Sequence, residues 1–263
     1  MLKKLLKYDL KYVFKVLIIF YTLSIFFAVL TRYFFSIDNS FLFNVIAQVC
    51  SGITISMIFN ILINNIMRLW VRFQNNFYKD EGYLTHTLPV KRTILFLSKN
   101  LTSVISLLVS FIIIALSLCI AYYSKDNLTL LKTILLPIAN LYNTNVISIL
   151  SAFLFILFLE VANAIQAGYI GIVLGHKMND IKTGFSVIYG FVTYVLSQII
   201  AIAMVFIVAL FNKNLMNLFY TTEAIDLDMV KLIIYLAIGI YSILVIVGYL
   251  VNLRLFKAGI NID

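Results

Sequence analysis

Six stretches of this chain are long and apolar enough that a bilayer is their natural solvent. They cover about residues 16–35, 42–66, 100–122, 146–174, 184–211 and 230–253. A helix needs about 20 apolar residues to cross the hydrocarbon layer, and these runs meet or exceed that length. A spanning backbone must satisfy its own hydrogen bonds, so the runs are helices or barrel strands. No ten-residue alternation of apolar and polar residues marks barrel strands. Only 12% of the 263 residues are charged, about half the usual share in a soluble domain. The expectation is an all-α polytopic membrane protein, a single domain of six transmembrane helices over 1–263, with no room for a large soluble part. The first apolar run is too long for a signal peptide, and no small-residue cleavage site follows it, so it is read as an uncleaved span.

The net charge of +9 is a statement about topology. The segment before the first span holds Lys3, Lys4, Lys7, Lys11 and Lys15. Between spans two and three lie Arg68, Arg72, Lys79, Lys91, Arg92 and Lys99. Lys177 and Lys182 separate spans four and five, and Arg254 and Lys257 follow span six. Fifteen of the twenty basic residues thus fall on one side, leaving Arg32, Lys125, Lys132, Lys213 and Lys231 on the other. The positive-inside rule then expects both termini and the 67–99 loop in the cytoplasm. No nucleic-acid partner is needed to explain the charge.

In "MLKKLLKYDLKYVFK" the residues Lys4, Lys7, Lys11 and Lys15 share one helical face, with Leu2, Leu6, Leu10 and Val13 roughly opposite. This predicts an amphipathic helix over 1–15, lying in the headgroup plane with its lysines on anionic lipid. The alternative is a basic flank that only sets topology. The vocabulary, rich in Lys, Asn and Ile, suits an AT-rich coding sequence and hence a bacterial cell membrane.

Several chemistries leave no trace. There is no G-x-x-x-x-G-K-[ST] loop for nucleotide phosphates, no H-E-x-x-H, no Cys/His pattern at zinc spacing and no G-x-S-x-G elbow. No enzymatic activity, metal or cofactor is therefore expected in this chain. Cys50 and Cys119 sit in apolar runs and read as small buried hydrophobes. His86 and His176 fall in expected cytoplasmic loops, as surface or interface residues.

Span four, "SAFLFILFLEVANAIQAGYIGIVLGHK", carries the polar residues that most need an account. Glu160 lies near its middle, where a carboxylate costs roughly 2.5–3.5 kcal/mol or more, so it faces protein or water. Asn163 and Gln166 follow within two turns. Glu160 is either a pathway residue or an interhelical hydrogen-bonding group. Gly168, Gly171 and Gly175 recur at three- and four-residue spacing, a pattern that lets helices approach closely. Asn60, Asn64 and Asn65 in span two, and Ser197 and Gln198 in span five, are further candidates for interhelical bonding or a weakly polar path. Of the outer segments, 124–145 is semi-apolar and broken by Pro137, suggesting an interfacial or re-entrant piece. The other, 212–229, turns acidic toward its end.

The least lipid-like stretch is "YKDEGYLTHTLPVKR", residues 78–92. Gly82 is expected to break the helix continuing from span two, and Pro89 to open the next helix, having no N–H to lose there. Tyr83, Leu84, His86 and Leu88 form an apolar and aromatic patch between charges of both signs, as a docking surface requires. An ordinary solvated loop is the alternative.

The run Asp80-Glu81-Gly82-Tyr83-Leu84, Thr87-Leu88-Pro89, Lys91-Arg92 and Ser98-Lys99 resembles the segment between spans two and three of bacterial type 2 ABC-transporter permeases. The resemblance is to those of Gram-positive antibiotic- and peptide-export systems. The "GIVLGHK" end of span four, the close "LRLFKAGINID", the six-span layout and the amphipathic start are similar too. The specific motifs cover about 40 residues, and the layout covers nearly the whole chain. The resemblance implies a membrane subunit without nucleotide, paired with a second permease, the same or related, and with two separate ATPase chains that hold ATP and Mg. It implies docking of the ATPase through Asp80, Glu81, Gly82, Tyr83, Leu84, His86, Leu88 and Pro89, and a cargo that is a peptide or other amphipathic compound. Glu160, Asn60 and Asn64 match no motif of that family. The competing functions are a non-transporting scaffold or immunity protein, and a secondary transporter coupled through Glu160.

Overall fold

The computed structural model describes residues 1–37, 41–141, 145–178, 181–212, 215–216 and 227–258. Its principal elements are α1 (Leu2–Phe35), α2 (Phe41–Tyr78), α3 (Asp80–Thr87), α4 (Arg92–Tyr122), α5 (Lys125–Leu141), α6 (Val146–Gly175), α7 (Lys182–Phe211) and α8 (Leu227–Lys257), with no strand among the described residues. Six of these helices are long and apolar enough to span a membrane: α1, α2, α4, α6, α7 and α8. The protein is all-α, with the features of a multi-pass membrane protein. The chain divides into two compact units, Met1–Thr129 and Leu130–Asn261, with the division falling inside α5.

In the first unit α1 packs against α2 and α4. Its buried residues are Asp9, Val13, Leu17, Tyr21, Ser24, Ala28 and Thr31, one stripe at spacings of three and four. The opposite side exposes Ile18, Phe26 and Val29, which suits lipid. Hydroxyls lace the buried stripe together. Tyr21 pairs with Ser110 at 2.8 Å, Ser24 with Ser117 at 2.9 Å and Thr31 with Thr54 at 3.2 Å. Asn65 is fully buried and donates to Ser110 at 2.7 Å, while its Oδ1 accepts from Ser106 at 3.0 Å. In hydrocarbon each such bond contributes only about 0.6 kcal/mol on average, so their value here is register as much as stability.

Several expected boundaries move. Residues 1–15 are helical and amphipathic, and Lys4, Lys7, Lys11 and Lys15 are all exposed. They do not form a separate interfacial helix, however, because α1 runs unbroken from Leu2 to Phe35. The reason is Asp9 and Val13, which the membrane-surface reading left unassigned or placed toward lipid. Both are buried on the same stripe as Leu17 and Tyr21, so the segment packs against protein. Likewise α2 continues to Tyr78, twelve residues past the expected end of span two, held by buried Leu69, Phe73 and Phe77. Residues 67–99 are therefore mostly helix. Cys50 is buried as expected, but Cys119 is exposed on α4. Pro137 does not break α5, which continues through it with one ladder bond missing. Leu135, Ile138 and Ala139 pack there with Ile149 of α6. Of the acids near the end of 212–229, Asp228 falls in the first turn of α8, while Glu223, Asp226 and the last five residues lie outside the described residues.

The second unit is built on α6, which packs with α7 and α8. A Cβ on Gly171 would stand 2.3 Å from the backbone nitrogen of Gly190, and one on Gly175 would stand 2.3 Å from that of Ser186. Only hydrogen fits at either place. Gly168 lies against Gly190, whose own Cβ would meet the Gly168 Cα at 3.5 Å. On the α7–α8 side, Ala201, Ile240 and Leu244 form a small buried cluster.

Candidate functional site: a short helix tied to a buried charge cluster

The helix α3 is defined at both ends by backbone geometry. Lys79 is extended (φ −107°, ψ −165°), which stops α2 and starts α3, so the break comes three residues before Gly82. Gly82 is buried inside α3 and its N–H bonds the Lys79 carbonyl at 2.6 Å. Asp80 and Glu81 occupy the first turn, where negative charge suits the helix dipole. Pro89 ends α3 and does not open α4. It restricts Leu88 to extended backbone (φ −62°, ψ 136°), and α4 begins only at Arg92.

The two sides of α3 differ. Gly82 and Thr85 are buried against the rest of the unit. Asn76 of α2 donates to Thr85 Oγ1 at 3.2 Å and to Glu81 Oε2 at 3.1 Å. The His86 ring lies 6.0 Å from that of Phe77, and its Nε2 is 3.2 Å from the Phe77 carbonyl. This partial burial is the main cause holding the imidazole below its usual range. The Phe77 carbonyl works the other way, and Arg92 adds to the lowering. Outward, Tyr83 is 56% and Leu84 75% exposed, with Leu88 and Asp80 exposed beside them. Pro89 is exposed too.

Beneath α3 lies an ion cluster that joins all four helices of the first unit's core. Asp9 of α1 is 2% exposed and Lys99 of α4 is 4% exposed, with Lys99 Nζ 2.7 Å from Asp9 Oδ1. Arg72 of α2 places Nε 2.8 Å from the same Asp9 oxygen and Nη1 2.7 Å from Glu81 Oε2 of α3. Ser98 donates to Asp9 Oδ2 at 3.5 Å. Aromatic faces cover the cations: Arg72 sits 4.9 Å from the Tyr12 ring centre and Lys99 5.2 Å from that of Phe77. Two acids meet two bases, so the cluster is neutral. That balance is what makes the burial tolerable, since an unpaired ion there would cost several kcal/mol. Arg72 and Lys99 were counted above as loop charges. They are helical, paired and largely shielded from solvent.

The candidates in the second unit form three separate pairings. Glu160 Oε1 accepts from Tyr194 Oη at 2.6 Å and from Gln198 Nε2 at 3.0 Å, and Tyr241 donates to Gln198 Oε1 at 3.0 Å. Glu160 Oε2 is buried with no partner among the described residues. Asn163 donates to Ser197 at 2.8 Å, and Asn252 of α8 donates to Gln166 Oε1 at 2.8 Å. His176 is buried at the α6–α7 interface, with Nδ1 2.8 Å from the Ile172 carbonyl and 3.3 Å from Ser186 Oγ. Asn60 and Asn64 instead bond carbonyls of their own helix, at Ser56 and Asn60, and join no cluster among the described residues.

The sequence reading missed Asp9 as a site residue, together with the roles of Arg72 and Lys99. A signal for Asp9 was present. It is the sole acid of the first 37 residues and stands four residues before Val13 on the stripe that continues through Leu17 and Tyr21. An acid on an apolar stripe needs a cation from elsewhere. Comparison with family models, characterised proteins and solved structures finds no match to this chain.

Proposed function

We propose that this chain is the membrane-spanning permease subunit of an ABC-2-type exporter, with both termini on the cytoplasmic side of a bacterial cell membrane. It pairs with a second permease, the same or related, and docks two separate ATPase chains that bind ATP and Mg. Its cargo is a peptide or another amphipathic compound. The observation that carries this reading is α3. It is an eight-residue helix between two spanning helices, presenting Tyr83 and Leu84 outward, with Leu88 just past its end, within a rim containing Asp80, Glu81, Lys91 and Arg92. Exposed aromatic and aliphatic anchors inside a charged rim are what a small protein interface needs. A surface facing the hydrocarbon core would not carry those charges.

The test removes the anchors and leaves the spans alone. Tyr83→Ala/Leu84→Ala should insert at wild-type level, while recovery of the ATPase on pull-down falls about tenfold or more and export stops. Full ATPase recovery with full export would overturn the docking role. Orientation is tested in a Cys50→Ala/Cys119→Ala background. A cysteine at Asn127 should react with an impermeant thiol reagent from outside, and one at Lys79 only after the membrane is opened. The reverse pattern would invert the topology.

A further inference from the structure

We propose that Asp9, which makes no hydrogen bond or ion pair with α3, is the residue that positions α3, acting through Arg72. The reasoning starts from the shape of the guanidinium. It is planar and rigid, so fixing one edge aims the others. Nε is fixed by the buried Asp9 at 2.8 Å and the group rests on Tyr12, both on α1. Nη1 is thereby held toward Glu81 at 2.7 Å. Asp9 is itself fixed by Lys99 of α4 at 2.7 Å and by Ser98. The order of contact is α4, α1, α2, α3.

The two ends of this chain of ions differ in solvation. Asp9 and Lys99 are dry, whereas Glu81 is 51% exposed. Water screens the outer bond and competes for it, but it cannot reach the inner one. Glu81 is thus the end at which the cluster opens, and Asp9 the end from which it is held. A displacement of α3 that draws Glu81 away leaves Arg72 with Asp9 alone, and the local charge becomes that of two cations against one acid. Arg72 of α2 and Lys99 of α4 then share a single carboxylate oxygen. What displaces α3 in the working protein rests on the docking reading above. The positioning of α3 by Asp9 does not.

The competing account is that Asn76, Thr85 and Phe77 hold α3 by themselves. Hydrogen exchange on the purified full-length chain in lipid nanodiscs, without any ATPase, separates the two. Asp9→Leu/Lys99→Met replaces the buried pair by apolar side chains and keeps the cluster neutral. Amides of residues 82–87 should then exchange about fivefold faster or more, while residues 103–117 of α4 stay protected. Glu81→Gln should give the same local change. Arg72→Lys guards against misfolding of the double variant. It keeps the charge but loses the fork, so it too should release α3. If α3 is as protected as in the wild type in folded Asp9→Leu/Lys99→Met, or in Arg72→Lys, the positioning role is wrong. ATPase pull-down on the same preparations is scored separately. Release of α3 in the variants with no ATPase binding to the wild type would sink the docking reading and leave Asp9 in place.

Discussion

Asp9 in the first unit and Glu160 in the second are both acids on membrane-spanning helices, and their surroundings differ in kind. Asp9 is met by two cations, and the resulting cluster of Asp9, Arg72, Lys99 and Glu81 sums to zero charge. Among the described residues Glu160 Oε1 is met by the neutral donors Tyr194 and Gln198, no cation pairs with Glu160, and its second oxygen has no hydrogen-bond partner. The first arrangement joins four helices and reaches the exposed α3. The second joins α6 and α7, with Tyr241 of α8 bonded to Gln198. Removing a charge should therefore be severe in one place and mild in the other.

The largest effect is expected at the cluster. Asp9→Ala leaves Lys99 buried without its counterion, and breaking such a pair by removing one partner costs about 3–5 kcal/mol. Thermal melting in detergent should show a lowered and broadened transition. Asp9→Leu/Lys99→Met should melt near the wild type, because apolar replacement of the whole pair is often neutral. Equal destabilisation by the single and double variants would mean the pair is not balanced as described. Next comes the glycine seam of the second unit. Gly171→Ala puts a methyl 2.3 Å from the Gly190 backbone, which cannot yield as a flexible side chain would. A cost of about 1–3 kcal/mol is expected, read as a lowered melting temperature. At Glu160 the prediction depends on the replacement. Glu160→Gln keeps the shape and accepts both bonds through its carbonyl oxygen, and exchanges one buried partnerless oxygen for an amide nitrogen, so stability should change by less than about 1 kcal/mol. Glu160→Leu strands Tyr194 and Gln198 and should cost about 1–3 kcal/mol. If Gln proves as damaging as Leu, the charge itself matters there and the contrast with Asp9 dissolves.

The smallest effect is a pH dependence at α3. His86 binds its proton less readily when packed against Phe77 than when free. A group of this kind stabilises the packed state above its free value of about 6.5, and the contribution is lost as pH falls through the lowered value. After correction for intrinsic rates, α3 amides should exchange faster at about pH 5.5 than at about pH 7.5. His86→Gln should flatten that difference.

Much of the spanning architecture could be read from the apolar runs, because hydrocarbon imposes length and polarity on each span independently. The starts of α6 and α7 fall within two residues of the expected ones. The extension of α2 to Tyr78 was not legible. Its support is tertiary, from Phe73 packing with Phe96 of α4 and Phe77 lying over Lys99 of α4, and no local rule signals that. The same holds for Asp9, Arg72 and Lys99. Each looks like an ordinary loop or flank charge until the faces of α1, α2 and α4 are known to meet. Conversely, Asn60, Asn64 and Asn65 look like one cluster in the sequence, but the helix turns Asn65 away from the side that Asn60 and Asn64 share. Only Asn65 points into the packing.

The cluster also sets a schedule for making the protein. Asp9 belongs to the first helix, and its partners Arg72 and Lys99 come 63 and 90 residues later. At synthesis rates of about 5–20 residues per second, the nascent chain waits about 3–13 s for the first cation and about 5–18 s for the second. Throughout that interval Asp9 has no counterion on its own buried stripe, while the exposed lysines around it favour the headgroups. Docking of this first segment against α2 and α4 is consequently a late event in biogenesis, timed by the arrival of charge.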